Sequence, residues 1–177
     1  MGLILAALFA IILGIFSILF ITLEFYVGII GRLKGAPFVA SRPERIKTMI
    51  DLANLKEGMR VVDLGSGDGS ILIAAAHRGA IATGVEMNPF LIPYSQWRAR
   101  RAGVSSRTTF IRGEIKNHPI HDADVVFLYL LPSLLSKINV KLSSELKPGA
   151  CVISNAFPIA NWTPVMEKNG VFLYRIS

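Results

Sequence analysis

The sequence predicts an α/β fold: a doubly wound, mainly parallel seven-stranded sheet with a C-terminal antiparallel hairpin, preceded by one N-terminal transmembrane helix. Three observations carry this expectation. Short apolar runs alternate with amphipathic stretches from residue 41 to residue 154, the pattern of βα units joined by right-handed crossovers. Asn169-Gly170 stands between two apolar runs, the strongest short-range hairpin signal. The first 31 residues contain no Lys or Arg and a single acid, Glu24.

That first segment, 1–31, reads as a membrane anchor. Residues 2–23 are free of charge, and about 20 such residues cross a hydrocarbon core of about 30 Å. Arg32, Lys34, Arg42, Arg45 and Lys47 follow. Positive charge on this flank predicts that the rest of the chain lies in the cytoplasm or the mitochondrial matrix. The segment lacks the basic start and short apolar core of a cleaved signal peptide, and the arginines of an import presequence. The expected location is therefore the cytoplasmic side of a bacterial inner membrane, with the matrix side of the mitochondrial inner membrane as the alternative.

The formal net charge is +7, and every Lys and Arg lies from Arg32 onward. Such a basic remainder suits an anionic membrane surface or a polyanionic partner, or is a solvated surface without either. The single Cys151 excludes an internal disulfide and a cysteine metal cluster. His77, His118 and His121 have no metal-ligand spacing, so no metal is expected.

After the anchor, residues 32–55 form a linker and an amphipathic helix, and 56–177 form the α/β domain. Ser41 and Glu44 make a capping box, and Ile46, Met49, Ile50 and Ala53 recur at helical spacing up to Asn54. The first strand is 60–64. Asp68 caps a short helix over about 69–78 that Gly79 closes. The second strand is 81–86. Asn88 and Pro89 mark a helix start, but Pro93 breaks its first turns, which places the regular helix at 93–102. Strands at 108–112 and 124–130, a helix at 133–146, a strand at 150–154 and the hairpin 165–168/171–176 complete the domain.

The loop Asp63-Leu64-Gly65-Ser66-Gly67-Asp68-Gly69 follows the first strand. Open α/β sheets bind ligands there, outside the carboxyl ends of the strands where strand order switches. Glu86 ends the second strand and is placed to accept hydrogen bonds from ribose hydroxyls. A nicotinamide site would show Gly-x-Gly-x-x-Gly around a pyrophosphate. Here the glycines run Gly-x-Gly-x-Gly, and Ser70 occupies the third dinucleotide position. Asp63, two residues before the first glycine, repels a pyrophosphate and suits the cationic amino group of a methionine moiety. The cofactor expected on these grounds is S-adenosyl-L-methionine.

The flanking motifs narrow this. Pro37-Phe38-Val39, Glu86-Met87-Asn88-Pro89, Tyr129-Leu130-Leu131-Pro132, Leu146-Lys147-Pro148-Gly149, Phe157-Pro158 and Asn161-Trp162-Thr163-Pro164 accompany the glycine loop. Over residues 35–162 the sequence resembles the class I S-adenosylmethionine-dependent methyltransferases, which are Rossmann-like. Within that class it resembles one lysine methyltransferase family. That family includes the ATP synthase c-subunit and adenine nucleotide translocase lysine N-methyltransferases and archaeal protein-lysine methyltransferases. Three positions depart from the family pattern: Ala40 replaces Pro, Glu114 replaces Asp, and Pro93 lies on the helix after the ribose site.

The resemblance implies that Asp63, Gly65, Ser66, Gly67 and Gly69 hold the methionine end and Glu86 the ribose. It also implies that Met87 packs on the adenine, that Glu114 accepts from the adenine amino group, and that Asn88 belongs to the cofactor set. It implies in-line methyl transfer to a lysine ε-amine, driven by alignment and by an apolar site that keeps the amine neutral. Tyr129 orients that amine, or is an aromatic of the sheet. Phe38, Asn155, Phe157 and Trp162 wall the lysine channel by the same implication; a turn role for Asn155 and a core role for Phe157 stand beside it. The absence of (Asn/Asp)-Pro-Pro-(Tyr/Phe) after the fourth strand argues against planar amino groups as substrates. Arg98, Arg100, Arg101, Arg107 and Arg112 form an RNA face, a solvated face or a headgroup contact; with only Trp97 interleaved, nucleic acid is not the expected partner.

The function expected is methylation of a lysine on a protein in or at the membrane, with the lipid bilayer as a second partner. Tethering raises the effective concentration of embedded targets. Methylation of RNA, a lipid or a small molecule is one alternative; a non-catalytic membrane-bound binding module is the other.

Overall fold

The computed structural model describes residues 2–34 and 39–177, and within the first helix the side chains of residues 2, 4 and 8–22. The chain divides into two units, Met1–Phe38 and Val39–Ser177. In the first unit, α1 (Gly2–Lys34) is a helix of 33 residues, or about 50 Å at 1.5 Å per residue. The described Leu, Ile and Phe side chains are exposed, Phe16 at 70 %. The Thr22 hydroxyl donates to the Leu19 carbonyl at 2.9 Å, so this polar group is satisfied within the helix. Among the described residues no helix is long and apolar enough to cross a membrane. The transmembrane helix expected at 1–31 is therefore not shown among the described residues.

The second unit contains α2 (Pro43–Ala53), β1 (Arg60–Leu64), α3 (Ser70–Ala76), β2 (Ile81–Glu86), α4 (Leu91–Arg101), β3 (Thr108–Arg112), β4 (Val125–Leu128), α5 (Pro132–Glu145), β5 (Cys151–Asn155), β6 (Met166–Lys168) and β7 (Val171–Arg175). The sheet has seven strands in the order β3-β2-β1-β4-β5-β7-β6. β1 to β5 are mutually parallel, while β7 runs antiparallel between β5 and β6. The mainly parallel, doubly wound sheet with its terminal hairpin is the one the sequence predicts. Strand order reverses between β1 and β4, and this places the ligand-binding crevice at their carboxyl ends.

Side chains alternate across each strand, so the sheet has two cores. Val61, Val125, Phe127 and Ile153 pack with α2, α3 and α4 through Met49, Ile50, Leu72, Ala75 and Ala99. Val62, Leu64, Val126, Leu128 and Val152 pack the opposite way, on Leu135, Ile138 and Leu142 of α5. One helix does not cover that second face. Ile120 and Ala123 before β4, with Ile159, Phe157 and Trp162 after β5, complete it from loops.

Helix starts are where local reading and structure part. The capping box at Ser41 does not form: Arg42 is the N-cap, Pro43 opens α2, and no side-chain cap is present. With Pro43 at the first helical position Glu44 falls at the second, not the third, and the box has no register. α4 starts at Leu91, two residues before Pro93. The first four N–H groups of a helix have no internal partner, so Pro93 removes no bond there and breaks nothing. Gly69 is the N-cap of α3, and Asp68 serves that end by accepting from the Ser70 N–H at 3.1 Å.

β2 and α3 are held close by Gly84. A Cβ there would lie 2.4 Å from Leu72 Cδ1 and 2.6 Å from Ser66 Oγ. Gly84→Ala is therefore expected to push α3 and the glycine loop from the sheet and to destabilise the domain by about 2 kcal/mol. Urea unfolding of the two proteins measures this, and equal midpoints would refute the contact.

Candidate active site

The site begins with backbone that only one strand-to-helix path allows. Gly65 and Ser66 both donate their N–H to the Val85 carbonyl, at 2.8 and 3.0 Å, so the chain leaving β1 folds across the end of β2. Gly65, Gly67 and Gly69 have φ of +90°, +53° and +76°. A Cβ at Gly65 would meet Leu130 at 3.1 Å, and one at Gly69 would meet the Phe110 ring at 2.8 Å. Both the left-handed backbone and the lack of room select glycine.

Glu86, at the end of β2, braces this loop. Its Oε2 accepts from the Gly67 N–H at 2.9 Å and its Oε1 from the Asn88 N–H at 2.8 Å. The Asn88 side chain accepts from the Phe90 N–H at 3.0 Å, shaping the turn into α4. Each Glu86 oxygen keeps a further lone pair for a ligand hydroxyl. Asp63, at the end of β1, is 2 % exposed. Burial, reinforced by the Glu86 and Asp68 charges, pushes its carboxyl up from 3.8 to about 8. A buried acid with two acidic neighbours takes a proton or a cation.

α4 clamps the loop from the other side, through residues that the sequence reading did not single out for this role. The buried Ser95 hydroxyl donates to the Gly67 carbonyl at 2.9 Å. Arg98 donates to the Asp68 carbonyl at 2.9 Å and to Ser70 Oγ at 2.8 Å, and also pairs with the Asp68 carboxylate. Ser95 and Arg98 are three apart and share a helix face. That spacing was the available signal, and only a known direction for α4 would have given it meaning.

The other predicted residues fall in three groups. Met87 is half-buried in the bend after Glu86. Glu114 is exposed and pairs with Lys116 at 3.0 Å, one residue beyond Gly113, whose N–H donates to the Glu86 carbonyl at 3.0 Å. Tyr129 is half-buried immediately past the end of β4. These stand at the carboxyl ends of the strands, as Asp63 and Glu86 do. Ser66 and Asn155 turn inward. Ser66 is 6 % exposed, its hydroxyl has no partner among the described residues, and its side chain packs at Gly84; only its main chain shapes the loop. Asn155 is 2 % exposed and accepts from Arg45 at 3.3 Å. It is a joint between α2 and β5 rather than an open wall or a turn; the left-handed residue is Ala156, φ +70°. Phe157 and Trp162 are half-buried against the second core, with Trp162 edge-on to Tyr174 at 5.7 Å. Phe38 lies outside the described residues. Of the five arginines, Arg98 is held by the loop, and Arg107 bonds the Gly79 carbonyl and Glu57.

Comparison with known proteins agrees with this geometry. The model of the ANTKMT methyltransferase domain matches residues 63–166. The mouse (Mus musculus) ATP synthase c-subunit lysine N-methyltransferase is 37% identical over 128 residues, 72% of this chain and 51% of that protein. This chain thus spans about half the length of that relative. A protein-lysine N-methyltransferase of Saccharolobus islandicus is 34% identical over 130 residues, 72% of this chain and 81% of that one. The crystal structure of an RNA methyltransferase from Salinibacter ruber, in complex with S-adenosyl-L-homocysteine, superposes with a TM-score of 0.72 at 36% identity, covering 78% of this chain and 92% of that one. The matched residues run from Asp63 at the tip of β1 to Met166 at the start of β6, and so take in the glycine loop, Glu86 and Tyr129: the chain belongs to the ANTKMT methyltransferase domain family.

Proposed function

We propose that this chain is an S-adenosylmethionine-dependent protein-lysine N-methyltransferase that acts on a protein in or at a membrane to which α1 anchors it. The observation that carries the reading is the buried acid, Asp63, beside a left-handed glycine loop and a carboxylate, Glu86, pre-oriented by two N–H donors. A cationic amino group suits the first, and a ribose diol suits the last. When bound, S-adenosylmethionine supplies an electrophilic methyl group on a sulfonium sulfur. Asp63 receives the α-ammonium, the glycine loop gives close approach to the methionine end, and Glu86 accepts from the ribose. Met87 and Glu114 serve the adenine. Glu114 must exchange its pairing with Lys116 for the adenine amino group. Tyr129, at the mouth between β4 and β5, orients the incoming amine. Phe157 and Trp162 supply apolar surroundings that keep a lysine amine neutral.

The composition of α1, uncharged over residues 2–23 and carrying Arg32 and Lys34 at its C-terminal end, supports an anchor with the second unit on the cytoplasmic side of a bacterial inner membrane. A protein substrate draws support from the mouse and archaeal relatives, both described as lysine N-methyltransferases. The Salinibacter ruber structure favours RNA as a second reading. Against it, Arg98 and Arg107 are engaged within the fold and leave three arginines of the five for a phosphate backbone. Membranes from a strain lacking the gene, incubated with the enzyme and radiolabelled cofactor, should take up label on protein lysines. Label in RNA or lipid alone would reject the protein reading.

Two predictions test the cofactor site. Because Asp63 titrates at 3.8 when unfolded and at about 8 in the fold, the ligand-free domain loses stability as pH rises through that window. Asp63→Asn should melt at a higher temperature than wild type, by a margin that widens from pH 4 to 8. Binding a cation at Asp63 releases its proton, so affinity should rise by up to about tenfold per unit between about pH 5.5 and pH 7.5, and be flat in Asp63→Asn. Calorimetric titration at several pH values would sink this assignment if the wild type were flat as well. Glu86→Ala removes ribose acceptors and the brace on Gly67, and should weaken cofactor binding about ten- to a hundredfold; an unchanged affinity would refute the ribose role.

A further inference from the structure

We infer that the outward face of α4 is a docking face for an anionic lipid bilayer, an inference that rests on the proposed membrane function. α4 has two faces with different duties. Ser95 and Ala99 are buried, at 0 % and 1 % exposure, and Ser95 with Arg98 holds the glycine loop. On the opposite side Phe90, Tyr94, Trp97 and Arg101 recur at helical spacing. Phe90, Tyr94 and Trp97 are 56 %, 48 % and 49 % exposed. Three large aromatics in one line on a surface mark a contact rather than a solvated helix.

Charge decides what the contact is. α4 contains no acid; apart from Arg98, which the loop engages, it presents exposed Arg100 and Arg101, and Arg112, at the end of β3, is exposed as well. The complementary surface is therefore anionic. Ring geometry separates lipid from nucleic acid. Tyr94 and Trp97 stack on each other at 5.9 Å. Arg98 lies over the Tyr94 ring at 5.8 Å and Arg101 over the Trp97 ring at 5.1 Å. A base binds by stacking on a free aromatic face, and the Tyr94 and Trp97 rings already contact each other and one arginine each. Aromatic edges interleaved with arginines are instead the composition that sits at headgroup level, with arginines attracted to anionic leaflets.

The position of the face gives it a use. Phe90 follows Glu86 by four residues at the carboxyl end of β2, so the stripe starts at the rim of the cofactor crevice. Docking brings that rim to the depth at which lysines of embedded proteins emerge. α1 supplies attachment; the α4 face sets orientation.

The test uses the full chain in vesicles of brominated phosphatidylcholine, with or without phosphatidylglycerol. The protein has two tryptophans and α1 has none, so the difference between wild type and Trp97→Phe isolates Trp97 emission. Quenching of Trp97 is expected in vesicles containing phosphatidylglycerol and not in neutral ones. Partition of the face should weaken about fivefold for each of Arg100→Ser and Arg101→Ser, and in high salt. No quenching, equal quenching in neutral vesicles, or a Trp97 response only to added single-stranded RNA would overturn the docking face. Flotation on neutral vesicles reads α1 separately. A chain that floats without Trp97 quenching keeps the anchor and loses the docking face. A chain that is quenched on anionic vesicles but does not float on neutral ones loses the anchor alone.

Discussion

The carboxylate of Glu86 and the carbonyl of Val85 beside it hold the end of β2 against the loop that leaves β1. Val85 accepts from Gly65 and Ser66, and Glu86 accepts from Gly67. The N–H groups of three consecutive residues are thus satisfied in a segment that belongs to neither helix nor strand, which an enclosed loop must achieve to be stable. From this tie the rest follows. The loop must pass close enough to β2 to exclude Cβ atoms. α3 must start at once after Gly69, and Gly84 must leave room for Leu72 and Ser66 beneath. The same atoms that pin the loop face the crevice, so fold and ligand site are one arrangement.

Asp63 shows the opposing demand. A neutral side chain at the tip of β1 would suit the ligand-free core better than an acid held at a raised pKa by burial and two acidic neighbours. The fold keeps the acid, and a bound cation would relieve the instability. α4 supports this strained centre, with Ser95 and Arg98 fixing the carbonyl side of the loop while Glu86 fixes the amide side. The second face of the sheet is built differently, with one helix and two loops. Its loop after β5 includes left-handed Ala156 and Asn161. That face is therefore the less regular half of the domain.

Much of the sheet was legible locally. β1, β2, β4 and β5 are short, largely apolar runs bounded by turn residues, and Asn169-Gly170 announced the hairpin. The acid-glycine-acid pattern pointed to the crevice because its parts lie on two adjacent strands whose spacing is set by a single βα unit. Helix starts were less legible: Pro93 reads as a breaker, yet it sits in the first turn of α4, as Pro43 does in that of α2, where a missing N–H costs nothing. The inward residues were not legible at all. Ser66 stands in the glycine loop, Asn155 just before the Phe157-Pro158 motif and Arg98 within α4, and no local rule tells whether such a polar side chain faces a ligand, a core or a neighbouring helix.

The sequence by itself determined the fold class, the order of strands and helices, the cofactor loop and the apolar character of residues 2–23, because each is written in contiguous residues: periodicity, glycine spacing and charge. Tertiary structure alone decided that β7 rather than β6 joins β5, that Asp63 is buried among acids, that Asn155 is taken by Arg45, and that α4 turns Ser95 toward the loop and its aromatic stripe outward. Those outcomes depend on contacts between residues as far as 110 positions apart, and on which face of an element the packed core claims. Neither is set by the neighbours of a residue in the chain.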